Sequence, residues 1–219
     1  MTDTTYNHKP SDYFAQSRPE MVRFIPAHTQ KLLEIGCGGG AFMKHLRQTR
    51  KVHAVAIEPH KEAAEQARKH FDTVLEADVA AGLNALKNER FDCVVVNDVL
   101  EHLVAPWETL VAIRKLLSPH GVAVASIPNV RYFPVLRALA LNGRWDYADY
   151  GVLDRTHLRF FTQSSIRDMF ETSGYCVERL EGINSMRLTW KHNLLFFLLG
   201  ERLVDTKYQQ FACVARNIP

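Results

Sequence analysis

Acidic and amide side chains recur in this chain at the ends of short apolar runs. Glu34 stands within LLEIG, Glu58 follows VHAVAI, Asp78 follows TVLEA, and Asn97-Asp98 follow FDCVVV. Carboxylates brought to one edge can accept hydrogen bonds from hydroxyl and amino groups and attract cations. Two other clusters pair a carboxylate with an imidazole. Asn97 to Leu103 reads NDVLEHL, with Asp98, Glu101 and His102. Further on, GVLDRTHLRFFT sets Asp154 three residues before His157, with Arg155 and Arg159 beside them. A neutral imidazole takes up a proton near pH 7. His157 or His102 is therefore the candidate general base, and Asp154 the candidate orienting partner.

Between these acids lies a glycine cluster. Leu32 to Gly40 reads LLEIGCGGG: a short apolar run, then Gly36, Cys37, Gly38, Gly39 and Gly40, with a helix expected to open at Ala41. Glycine tolerates positive φ and lets backbone approach a ligand closely. A helix start adds free N–H groups and a positive dipole end. A turn that binds nothing is the bland alternative. Two ligand classes use such a loop. Gly36, Gly38 and Ala41 satisfy G-x-G-x-x-G/A, and Glu58 follows Gly36 by 22 residues (58 − 36), near the spacing of a ribose-binding acid in dinucleotide sites. S-adenosylmethionine (SAM) also carries a ribose that wants an acid there. Glu34, two residues before Gly36, suits a ligand with an ammonium and a sulfonium, and it repels a pyrophosphate.

The elements that must position these residues alternate in type. Strands are expected at Lys31 to Ile35, Val52 to Ile57, Thr73 to Ala77, Phe91 to Val96 and Val122 to Ile127. Helices are expected at Pro19 to Ile25, Ala41 to Gln48, Lys61 to His70, a short stretch ending near Leu86, and Pro106 to Leu117. Such alternation predicts an α/β, Rossmann-like open sheet with helices on both faces. Ligands of such sheets bind outside the carboxyl ends of the strands, where Glu34, Glu58, Asp78, Asn97-Asp98 and Pro128-Asn129 would gather. The later chain reads as a helix at Gln163 to Ser173, a strand at Cys176 to Glu181, an apolar helix-like segment at Leu188 to Leu203 and a last strand at Gln209 to Arg216.

Asn129 to Phe161 holds 33 residues between a strand and a helix, with seven aromatics, five arginines and three aspartates. That is far longer than an ordinary connection, and it reads as a lid or acceptor wall. Leu158, Phe160 and Phe161 suggest a short strand whose opposite face carries His157 and Arg159 toward the cleft. Residues 1–219 thus form one expected domain, with a cap segment at 1–29, an acceptor-side insertion at 129–161 and a C-terminal helical insertion at 182–208.

Composition narrows the function classes. A formal charge of +3 is too weak to argue for nucleic acid. The four cysteines are scattered and form no CxxC, as expected of reduced thiols in a cytoplasmic protein. The N-terminus has no signal-peptide core, and the six-residue run Leu194 to Leu199 is too short to span a bilayer.

E-x-G-x-G-x-G over Glu34 to Gly40 resembles the first motif of the class I SAM-dependent methyltransferases. The resemblance covers roughly Lys31 to Arg216, with its specific motifs in the first half. It implies a sheet of about seven strands, mostly parallel with the last one reversed. It also implies SAM as cofactor and S-adenosylhomocysteine (SAH) as product. On that resemblance Glu58 takes the ribose hydroxyls and Asp78 the adenine amino group, with Val79 beside the ring. Gly36, Gly38 and Gly40 admit the methionine and ribose portions, with Glu34 and Cys37 in the same loop, and Asn97 and Asp98 lie under the sulfonium.

Loops similar to NDVLEHL occur in the methyltransferases of ubiquinone biosynthesis and in small-RNA 2′-O-methyltransferases, some of which hold a divalent metal there. Asp98, Glu101 and His102, completed by His157, would suit Mg²⁺ or Mn²⁺. Many metal-free relatives carry similar residues, so no metal ligand is assigned. The expected acceptor is a small molecule, by preference a hydroxyl, and Arg155 and Arg159 would fit an anionic or sugar-like one. A monomer or homodimer is equally compatible with the sequence. A nicotinamide oxidoreductase, an RNA methyltransferase and a non-catalytic SAM-binding protein are the rivals.

Overall fold

A computed structural model describes residues 17–187 and 200–218, without the side chains of 200–202. The first sixteen residues of the expected cap segment and the Leu194 to Leu199 run lie outside the described residues. Seven strands form one sheet: β1 (Lys31–Ile35), β2 (His53–Ile57), β3 (Thr73–Leu75), β4 (Phe91–Asn97), β5 (Leu117–Pro128), β6 (Tyr175–Ser185) and β7 (Tyr208–Asn217). Their order is β3-β2-β1-β4-β5-β7-β6, and only β7 runs against its neighbours. The reversed last strand and the mostly parallel sheet are as expected.

Period-two alternation explains the two layers. Leu33 and Val94 point into one core with Ile113, Ile166 and Phe170, while Leu32 and Cys93 point into the other with Phe42, Met43, Ala64 and Ala67. The helices supplying these faces are α1 (Ala41–Leu46), α2 (Lys61–Ala67), α3 (Val79–Ala85), α4 (Pro106–Leu116) and α6 (Gln163–Thr172). Thr162 caps α6 with a reciprocal Thr162–Ser165 pair. A 3₁₀ turn, Pro19–Phe24, lays Met21 and Phe24 into the second core and so fixes the chain just before β1.

The structure departs from the sequence reading in the second half. Residues 129–161 contain a helix, α5 (Phe133–Asn142), with no buried residue although it reads FPVLRALALN. The strand expected around Leu158 to Phe161 is not formed; Phe161 makes a single bridge to Asn129. The alternation fails because Glu101 O accepts from both Leu158 N and Arg159 N, which turns Leu158 out to 47% exposure. Gly182 to Ser185, read as the start of an insertion, continue β6 alongside β7, and Gly200–Lys207 is a 3₁₀ segment. Among the described residues no helix is long and apolar enough to cross a membrane.

Candidate active site

A cavity of about 770 Å³ opens at the carboxyl ends of the parallel strands. Glu34, Gly36, Cys37, Gly38, Glu58, Asp78, Val79, Asn97 and Asp98 all line it, as do His102, Asp154 and His157. Gly40 does not. It caps α1 at φ +81°, where a Cβ would press against Ala67 and His70, so it serves helix packing rather than the cavity wall.

The glycine loop is built around Gly36. Its N–H donates to Ile57 O at 2.8 Å, its φ is +68°, and a Cβ there would sit 2.5 Å from Val99 Cγ2. The loop therefore needs glycine for both conformation and space. Glu58 ties the loop down: Oε2 accepts from Gly38 N at 2.8 Å and Oε1 from His60 N at 2.9 Å. Burial raises its carboxyl above the ordinary range, and those two N–H groups pull it back. Glu34 is 3% exposed and its Oε2 is buried without a hydrogen-bond partner. Burial, and then the nearby Glu58, hold its pKa well above normal. The same two causes, with Glu34 added, push up the Cys37 thiol. Asp78 is the N-cap of α3, accepting from Ala81 N at 2.8 Å.

The floor beyond β4 is drawn from remote chain. Asp98 sits at φ +53°, a conformation that costs a non-glycine residue free energy. Its Oδ2 accepts from Arg18 Nε at 2.5 Å, and its Oδ1 from Ser126 Oγ at 3.0 Å and Gln210 Nε2 at 2.6 Å. Burial raises the Asp98 carboxyl, against the pull of Arg18 and Ser126. Arg18, Gln209 and Gln210 also line the cavity, and the sequence reading missed all three. The glutamine pair was a legible signal, since it opens an otherwise apolar strand. Arg18, lying before Pro19, has no comparable signature.

Glu101 and the two histidines meet above this floor. His157 Nδ1 lies 3.0 Å from Val152 O, a pure acceptor, so that nitrogen carries the proton and Nε2 is the basic one. Nε2 is 4.0 Å from Glu101 Oε1. His102 Nδ1 lies 3.1 Å from Thr156 O, which fixes the same tautomer. The rings stand edge to face with centroids 4.7 Å apart. Glu101 is 1% exposed and neither carboxylate oxygen has a hydrogen-bond partner; burial first, and Asp98 next, raise its pKa well above normal. Asp154 Oδ1 accepts from Thr156 N at 2.9 Å and Thr156 Oγ1 at 2.7 Å. It shapes the turn that carries both histidine contacts. One ligand atom from each of Glu101, His102 and His157 lies within 4.8 Å of the others.

Comparison with known proteins bears on the family and the fold. A family model described as a methyltransferase domain matches residues 6–180. A ubiquinone biosynthesis O-methyltransferase from Cereibacter sphaeroides (strain KD131 / KCTC 12085) is 29% identical over 184 residues, covering 78% of this chain and 70% of the relative. A SAM-dependent methyltransferase from Archaeoglobus fulgidus superposes with a TM-score of 0.67 at 17% identity, covering 98% of this chain and all of that one. The plantazolicin methyltransferase BpumL in complex with SAH gives a TM-score of 0.57 at 15% identity, over 97% of this chain and 87% of that one.

Proposed function

This chain belongs to the class I SAM-dependent methyltransferases, and from that premise we propose that it methylates a hydroxyl oxygen of a small-molecule acceptor, with His157 as general base. One observation carries the reading: His157, an imidazole whose tautomer leaves Nε2 as the basic nitrogen, lines the same cavity as the row of acids expected to hold the donor. The ubiquinone biosynthesis O-methyltransferases among its relatives add support for an oxygen acceptor.

In this reading Glu58 takes the ribose hydroxyls with the lone pairs left by Gly38 and His60. Asp78 and Val79 take the adenine end. Glu34 meets the ammonium of the methionine portion, and Arg18 its carboxylate, a charge that a guanidinium binds well. The acceptor oxygen attacks the methyl carbon, the carbon–sulfur bond breaks, and the hydroxyl proton passes to His157 Nε2. SAH leaves with the sulfur's electron pair. Orientation of the acceptor against the methyl group contributes ~7–11 kcal/mol in favourable cases.

The acceptor side of the cavity favours a neutral, partly apolar molecule over an anionic or sugar-like one. Leu103, Val104, Ala105, Tyr150 and Val152 line it. Arg155 instead donates to Asp149 at 3.0 Å, Arg159 donates to Val104 O at 2.7 Å, and neither lines the cavity. The test is methyl-labelled SAM with a panel of neutral hydroxyl compounds. The expected product carries the label as an O-methyl group, one per SAH formed. Label found only on nitrogen or carbon refutes O-methylation.

A second reading is favoured by the orphaned Glu101 carboxylate between two imidazoles whose Nδ1 atoms face carbonyl oxygens. Metal-binding histidines are commonly held in that way. Glu101, His102 and His157 fit a divalent cation, which would make an acceptor hydroxyl more acidic. A chelator separates the two readings: activity that survives it belongs to the histidine base alone.

A further inference from the structure

The hydrogen bonds on Asp98 form part of a closed ring. Arg18 Nε donates to Asp98 Oδ2, and Gln210 Nε2 donates to Asp98 Oδ1 at 2.6 Å. Gln210 Oε1 accepts from Asn184 Nδ2 at 2.7 Å, and Asn184 Nδ2 also donates to Glu20 Oε1 at 3.1 Å. An ion pair, Arg18 Nη1 to Glu20 Oε1 at 3.9 Å, closes the ring without a hydrogen bond. The polarity is consistent throughout: each donor points at a carboxylate or at the one amide oxygen, so the Gln210 amide has a single workable orientation. That amide is 5% exposed and lies on β7, the strand that runs against its neighbours. Asn184 faces it from β6, at φ +54°. The ring joins the residues around the Pro19–Phe24 turn, the turn after β4 and the last two strands. Each is remote from the others in sequence.

We infer that Gln210 is a positioning residue for cofactor binding: it holds the Asp98 carboxylate, and through Asp98 and Asn184 it holds Arg18 and the N-terminal turn over the donor end of the cavity. The inference rests on the reading above, that this cavity takes the donor. Asp98 adopts its strained turn with three donors directed at its carboxylate. Ser126, on the adjacent strand β5, supplies one of these donors from within the sheet. Gln210 and Arg18 add a second constraint, which couples the acid to the cap.

The test measures the SAH dissociation constant by calorimetry, and the melting temperature, for wild type, Gln210→Met, Asp98→Asn and the double variant. Gln210→Met keeps length and bulk while removing the donor. It is expected to weaken SAH ~10-fold, the value of one hydrogen bond to a charged group, and to lower the ligand-free melting temperature, since Asp98 loses one of its three donors. The double variant is expected to bind no more weakly than Asp98→Asn alone, since both act through one carboxylate. Asn184→Gly, at an exposed position whose positive φ glycine tolerates, is expected to weaken SAH ~3-fold and decides the matter should Gln210→Met not fold. A Gln210→Met protein that binds SAH like wild type, or losses that simply add in the double variant, overturns the inference. Failure of wild type itself to bind SAH overturns the cavity assignment instead.

Discussion

The two halves of the cavity are held together differently. Around the glycine loop and the turns after β2 and β3 the contacts are close in sequence: Glu58 to His60, Asp78 to Ala81, and Gly38 to Glu58 across 20 residues. At the floor beyond β4 and in the histidine cluster they span the chain: His102 to Thr156 across 54 residues, Arg18 to Asp98 across 80 and Gln210 to Asp98 across 112. A binding loop can be written into one strand–turn–helix unit, because backbone geometry there is set by local residue types. A catalytic group aimed at a reacting atom needs support from several elements, and only packing brings those together.

Substitutions should separate the two halves. The largest effect is expected on the acceptor side: His157→Ala should slow single-turnover methyl transfer ~10²–10⁴-fold, the usual cost of losing a general base, while SAH affinity stays near wild type. Transfer at the wild-type rate would remove His157 from the mechanism and leave the cluster to Glu101 and His102. Next comes the donor side. SAH at 100 times its dissociation constant should stabilise the wild-type fold by ~2.7 kcal/mol, and Glu58→Ala should lose most of that shift in thermal denaturation. Retention of the full shift would show that the donor does not depend on Glu58.

A smaller effect, in pH dependence, tests the orphaned acid of the donor side. The folded-state pKa of Glu34 is raised, first by burial and then by Glu58. Its protonated form therefore favours the folded state, an advantage full below the ordinary value of 4.5 and lost as pH rises through the raised value. The ligand-free wild type should thus lose melting temperature relative to Glu34→Gln as pH rises above the ordinary value of 4.5. SAH should recover part of the difference by setting an ammonium beside the ionised carboxylate. Parallel pH curves for the two proteins would show that Glu34 ionises normally.

The smallest effect is expected at Arg155, exposed and paired with Asp149. Arg155→Ala should change stability by no more than ~0.5 kcal/mol and leave turnover near wild type. A large loss of acceptor affinity there would restore the anionic acceptor.

How far the sequence reached can be followed residue by residue. Strand β1 was legible to its ends because Leu32, Leu33 and Ile35 are apolar on both faces and glycines stop them. The acids at Glu34, Glu58, Asp78 and Asp98 were found because they end such runs. Helix α5 was not found, because FPVLRALALN is apolar nearly all round and so lacks the one-sided period that marks a surface helix, and no α5 side chain is buried. Leu158 was expected inside and is outside, since the carbonyl of Glu101, 57 positions earlier, captures the backbone there (158 − 101).

What the sequence determined by itself was the order of strands and helices through β5, the glycine loop and the row of acids. Those follow from local propensity and side-chain period, which act within a few residues. Tertiary structure alone decided that Arg18 and Gln210 grip the same carboxylate, that the carbonyl of Glu101 captures the backbone at Leu158, and that Gly40 faces a helix instead of the cavity. These depend on which strands become neighbours, and above all on the antiparallel insertion of β7 between β5 and β6. A hydrogen bond across 112 residues leaves no periodic trace in the chain, because its partners meet only after the sheet has closed around them.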